Sequence, residues 1–135
     1  MAARRDNPRR RNSNQRNNLC AWLRRQAKPC WICGLPIDYR AKHHTPYSFQ
    51  CDELTPVSRG GDPLDPLNVD AAHACCNNWR KARSVAEVLR TRAEVARRFG
   101  AWHDARQFVE WAKALKGDAP APAPSHESCE TLGDY

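Results

Sequence analysis

The stretch "HACCNNWRK", residues 73–81, decides how the chain folds. Its His73 and Cys76 are two residues apart, and the same gap separates Cys30 from Cys33 in "CWICG", residues 30–34, forty residues before His73. On a helix, positions i and i+3 share a face, so His73 and Cys76 would present a second ligand pair to the Cys30–Cys33 knuckle. Gly34 lets the knuckle turn around an ion. The four side chains make a Cys₃His set for a structural Zn²⁺. Cys75 is an alternative fourth ligand, although adjacent Cys75 and Cys76 point to different faces. A redox reading of Cys30 and Cys33 fits less well, because Pro29 and Trp31 do not lie between a strand and a helix start as that motif requires. Cys20 and Cys51 then read as small packing residues and Cys129 as a tail thiol.

The composition makes such a staple necessary. The chain has 135 residues, 41% of them hydrophobic, with a mean hydropathy of −0.82. That is one small domain with appendages and little core. A bound ion then contributes much of the folding free energy. Seven cysteines, an odd count, favour metal over disulfides in a reducing compartment. No apolar run approaches a membrane span and the N-terminus lacks an apolar signal core, so a cytoplasmic location with no membrane partner is expected.

Charge is uneven. The net charge is +7, and residues 1–28 hold nine Arg and Lys against Asp6 alone. Residues 117–135 hold four acids and no Arg or Lys. A basic arm over 1–18, with Arg9, Arg10 and Arg11 at its centre, suits phosphate neutralisation. Residues 14–27 read as a short helix carrying Leu19, Trp22 and Leu23, and residues 47–54 and about 67–72 read as strands. A helix is expected from near His73, carrying Cys76, Asn77, Arg80 and Lys81. Ser84-x-x-Glu87 is a capping box opening a helix with the stripe Val85, Val88, Leu89, Val95 and Phe99, followed by Gly100. A last helix, 102–115, places Trp102, Ala105, Phe108, Ala112 and Leu115 on one face. These elements divide the chain into a zinc-stapled unit at 19–83, C-terminal helices at 84–116 and an Ala-Pro and acidic tail at 117–135. His43 and His44 read as exposed loop residues, and Trp79, Trp102 and Trp111 as packing.

One feature has no local explanation. Asp52 and Glu53 are adjacent acids at a strand end, followed by Arg59 and Gly60-Gly61. Neighbouring carboxylates repel, so an outside partner must hold them together. Taken in order, "CWICG", "DELTPVSRGG", "NV" and "HACCNNWRK" resemble the HNH endonucleases, in particular the zinc-bearing group common in bacteriophages and their hosts. The resemblance covers residues 29–83 and neither the arm nor the C-terminal helices.

The resemblance implies an α+β fold with a small ββα-metal core, flanked here by an N-terminal helix and a C-terminal helical pair. It implies that Asp52 and Asn77 hold a catalytic divalent ion such as Mg²⁺, Mn²⁺ or Ni²⁺, and that Asn68 orients the general base through a hydrogen bond. It places His73 and Cys76 on the structural zinc. Where the family has its catalytic His, this chain has Glu53. A glutamate is ordinarily ionised at neutral pH and a weaker base than histidine. Glu53 would therefore take the water's proton or join Asp52 on a hard cation. Arg59, Arg80 and Lys81 would supply positive charge to the phosphate. The expected activity is metal-dependent hydrolysis of DNA phosphodiester bonds by a protein of a phage or its bacterial host, with a terminase as a candidate packaging partner. A zinc-stapled DNA-binding module with a decayed site is the competing expectation, and the Glu53 exchange is its main support.

Overall fold

The computed structural model describes residues 13–115. Helix α1 spans Ser13–Arg25, strand β1 Phe49–Glu53, strand β2 Val69–His73, helix α2 Ala74–Arg80, helix α3 Val85–Phe99 and helix α4 Ala105–Leu115. Among the described residues the fold is α+β: four helices around a two-stranded antiparallel sheet, with 3₁₀ turns at Val57–Arg59 and Pro66–Asn68. Arg9, Arg10 and Arg11, the acidic tail and Cys129 lie outside the described residues. Residues 13–18, the end of the basic arm, are the first turns of α1, which starts one residue before the helix expected over 14–27.

The strands pair in the register Phe49↔His73 through Glu53↔Val69, with Cys51 opposite Ala71 and Asp52 opposite Asp70. Both strands start two residues later than the sequence suggested. Asp65 caps the 3₁₀ turn before β2 by accepting from the Leu67 amide at 2.9 Å. Asn68 clamps the connecting loop: its Oδ1 accepts from the Thr55 amide at 2.8 Å and its Nδ2 donates to the Thr55 carbonyl at 2.9 Å. Gly61 lies so close to that carbonyl that a Cβ there would overlap the Thr55 oxygen.

Strand β2 runs straight into α2, and His73 is the N-cap with φ −71° and ψ 147°. His73 is therefore extended and not helical as the i, i+3 reading assumed. No side chain caps α2. Its first amides are satisfied by backbone, Ala74 N–H donating to the Ser48 carbonyl and Cys75 N–H to that of Pro46. The segment before β1 thus caps the helix after β2.

Helix α3 opens with the expected box, Ser84 Oγ accepting from the Glu87 amide at 3.1 Å and Glu87 accepting from the Ser84 amide at 2.9 Å. Its buried stripe is narrower than the periodicity implies. Val88 and Val95 are fully buried, whereas Leu89 is 48% exposed. Trp22 in α1 is likewise 42% exposed, and Leu23 alone of that helix is buried. One contiguous core joins the knuckle (Ile32, Cys33), β2 (Ala71, Ala72), α2 (Trp79), α3 (Val88, Val95) and α4 (Phe108, Trp111, Ala112). Phe108 is its centre, 5.5 Å from the Trp79 ring edge-on and 4.9 Å from Trp102. Trp102 also donates its indole N–H to the Cys33 carbonyl at 2.9 Å, which ties α4's approach to the knuckle. Among the described residues, no helix is long and apolar enough to cross a membrane.

Phe108→Ala is expected to cost about 3–5 kcal/mol, and Leu89→Ala less than about 0.5 kcal/mol. Urea unfolding of the two variants beside wild type measures both; equal losses would contradict this packing.

Candidate metal centre and adjoining cleft

The knuckle is a tight turn. Gly34 N–H donates to the Cys30 carbonyl at 2.8 Å and Cys30 N–H to the Leu35 carbonyl at 2.9 Å, with Gly34 at φ 81°. The amides of Cys33 and His73 both point at Cys30 Sγ, at 3.5 and 3.4 Å. Such amides stabilise a thiolate. Trp31 N–H bonds the Ala71 carbonyl at 2.9 Å, so the knuckle is stitched to β2 two residues before His73.

Cys30, Cys33, His73 and Cys76 meet in one buried cluster, their ligand atoms all within 4.8 Å of one another. His73 Nδ1 is 3.4 Å from Cys33 Sγ and 4.0 Å from Cys76 Sγ. Tetrahedral zinc, with Zn–S near 2.3 Å and Zn–N near 2.0 Å, sets sulfur and nitrogen roughly 3.6 Å apart. His73 Nε2 lies 3.1 Å from the Pro36 carbonyl, which can only accept, so Nε2 carries the proton and Nδ1 faces the sulfurs. The buried Cys₃His cluster can hold a structural metal ion such as zinc. Cys75 lies outside it and is half-buried, so His73 is the fourth member of the set.

Proton affinities within the cluster show what a cation would replace. Burial pushes the Cys30 thiol up, but hydrogen bonds from Cys33, Cys76 and His73 overcome it and hold Cys30 well below the thiol range. Hydrogen bonds to Cys30, Cys33 and Cys75 push Cys76 up. Burial disfavours a charged His73, yet its bonds to Cys30 and Cys33 push its pKa up to about 10. A divalent ion must displace the protons of Cys76 and His73.

Beside the cluster, Asp52, Glu53, Asn77, Arg80 and Lys81 line one cleft of about 190 Å³, together with Arg16 of α1. Five of the residues singled out from the sequence therefore converge. Asp52 is 7% exposed, and its Oδ2 accepts from Arg80 Nη1 at 2.8 Å and from Trp31 Nε1 at 2.9 Å. Burial raises the Asp52 pKa above the ordinary carboxylate value, outweighing Arg80 and the Trp31 bond, with Glu53 adding to the rise. Glu53 Oε2 lies 3.5 Å from Arg16 Nη2. Asn77 Nδ2 donates to Gln50 Oε1 at 2.8 Å. Lys81 is exposed and ends α2 at φ 49°, an uncommon backbone for a residue with a side chain.

Three residues differ from their expected roles. Arg80, expected to face phosphate, is 3% exposed and committed to Asp52 and to the carbonyls of Glu53, Leu54 and Arg83. Its guanidinium also lies 5.0 Å from the centre of the Trp31 ring, so it is an internal brace between α2 and the end of β1. Asn68, expected to hydrogen-bond the base, acts on the loop through Thr55, two residues beyond Glu53. Arg59 is exposed and donates to the Ala82 carbonyl at 2.6 Å, away from the cleft lining.

Two site residues were missed. Trp31, hidden between the knuckle cysteines, links the metal cluster to Asp52. In the sequence Arg16 is only one of the arm's charges, and nothing in its spacing announces a contact with Glu53. No protein-family model matches the chain, and comparison with curated proteins and solved structures finds no significant match.

Purified protein is expected to carry one zinc per chain, and chelation to unfold it. Because the thiols and His73 must give up protons to bind the ion, zinc affinity should rise steeply with pH near neutrality, roughly tenfold per pH unit for each displaced proton. Competition titrations between pH 6 and 8 check this, and a pH-independent affinity would contradict it.

Proposed function

We propose that the protein is a metal-dependent endonuclease of the HNH type that hydrolyses DNA phosphodiester bonds. The observation that carries this reading is the convergence of Asp52, Glu53 and Asn77 on one small cleft beside a Cys₃His cluster, with Arg16 and Lys81 in its lining. The volume suits an ion and a phosphate group rather than a nucleobase. Asp52 and Asn77 would hold a hard divalent cation such as Mg²⁺, Mn²⁺ or Ni²⁺, whose Lewis acidity stabilises charge developing on the phosphate. Glu53 takes the proton of the attacking water, and Arg16, 3.5 Å away, orients the carboxylate. Lys81, at the open side, binds a non-bridging phosphate oxygen. Arg80 positions Asp52 and does not touch DNA. A packaging enzyme such as a terminase remains the partner to which such a nuclease would be coupled.

One observation favours a second reading, a DNA-binding module with an inactive site. Asp52 Oδ2 is already committed to Arg80 and Trp31, which leaves Oδ1 to a cation. The two readings separate on supercoiled plasmid with Mg²⁺, Mn²⁺ or Ni²⁺. The nuclease reading expects nicking that EDTA and Asp52→Ala abolish, and that Glu53→Gln slows by about 10²–10⁴-fold. Plasmid binding without cleavage, with cleavage appearing in Glu53→His, would establish the inactive module.

A further inference from the structure

Cys20 and Cys51, expected to be small packing residues, form a second thiol pair outside the metal cluster. Cys20 on α1 and Cys51 on β1 are both half-buried, and one guanidinium bridges them. Arg16 Nη1 lies 2.9 Å from Cys20 Sγ and 3.8 Å from Cys51 Sγ. A guanidinium is an unusual partner for a neutral thiol and a good one for a thiolate. Both sulfurs line a cavity of about 560 Å³ whose wall also carries Arg16, Arg24 and His43. The site thus combines two adjacent thiols, an arginine between them and a basic, open approach.

We propose that Cys20 and Cys51 are a thiol–disulfide site, converted to an intramolecular disulfide by a small anionic disulfide that enters this cavity. The Cys20 thiolate attacks one sulfur of the reagent R–S–S–R, forming a Cys20–S–S–R bond and expelling R–S⁻. Cys51, losing its proton to that leaving thiolate, attacks Cys20 Sγ, forms the Cys20–Cys51 bond and expels the second R–S⁻. Two protein thiols are oxidised by two electrons and one reagent disulfide is reduced to two thiols. Arg16 Nη1, 2.9 Å from Cys20 Sγ, favours a thiolate there over a neutral thiol. A thiol beside a fixed cation suits this exchange. The anionic ends of the reagent match Arg16 and Arg24. Cytosolic disulfides of this kind are typically transient and regulatory. Here the bond would tie α1 to β1 and remove the thiolate that Arg16 shares with Glu53. The pairing itself does not rest on the nuclease reading.

The test treats full-length, zinc-loaded protein with oxidised glutathione at neutral pH, quenches with a maleimide and maps the peptides by mass spectrometry. The expected product is a linked pair of peptides containing Cys20 and Cys51, with zinc retained. Cys51→Ser should instead accumulate glutathione on Cys20. Cys20→Ser should slow glutathione incorporation at Cys51 by at least about tenfold. Incorporation confined to Cys75 or Cys129, or oxidation that proceeds only through the Cys30–Cys33 pair with loss of zinc, would overturn the proposal. A Cys20 adduct that never resolves in the wild type would overturn the pairing as well.

Discussion

Four donor atoms from two segments forty residues apart must occupy one small volume, and the rest of the structure depends on that constraint. The knuckle supplies two thiols on a turn too tight for much variation. The β2–α2 junction supplies the others, His73 at the last strand residue and Cys76 in the first helical turn. Placing them together sets the register of β1 on β2, because Trp31 is bonded to Ala71 while Ala74 and Cys75 are bonded to the segment that leads into β1. The apolar core then grows outward from the cluster, through Ile32 and Ala72 to Val88 and Phe108. In a chain with a mean hydropathy of −0.82, that core needs the polar cluster at its edge to be complete.

The same constraint builds the cleft. Adjacent residues on a strand leave opposite faces, so Asp52 and Glu53 can share a cleft only where the strand ends and other elements fold over both. Trp31 of the knuckle and Arg80 of α2 secure Asp52, and Arg16 of α1 reaches Glu53. Arg80 is the costly member. A buried guanidinium is tolerated only when its donors are satisfied, and this one meets a carboxylate and three carbonyls. Its reward is geometric: it fixes the end of β1, the start of the following loop and the last turn of α2 as one unit. Trp31 therefore ties the knuckle of the cluster to the cleft, through its bond to Asp52.

Much of this was legible in the chain. The paired two-residue gaps named all four cluster members, because ligand spacing on a turn and at a helix start is a local property. The capping box at Ser84, the positions of Val88 and Val95 on the α3 stripe and that of Phe108 on the α4 face are equally local. What stayed hidden depends on tertiary contact. Leu89 and Trp22 fit their helical stripes, but the partner surfaces are too small to cover them. His73 was expected inside a helix; the strand runs one residue further because its backbone pairs opposite Phe49. Arg80 looked like a surface charge, since burial of an arginine can only be seen once Asp52 and the carbonyls around it are placed. Arg16 and Cys20 belong to a helix turn whose meaning comes entirely from Cys51 and Glu53, more than thirty residues away.

The most direct test of the dependence on the cluster is hydrogen exchange on the zinc-loaded protein before and after chelation, resolved by segment. If the four donors organise the fold, removing the ion should erase protection across β1, β2 and α2 together, and the cleft-lining segments should lose it in the same step. Protection that persists in the strands and α2 while only residues 29–36 open would contradict the account.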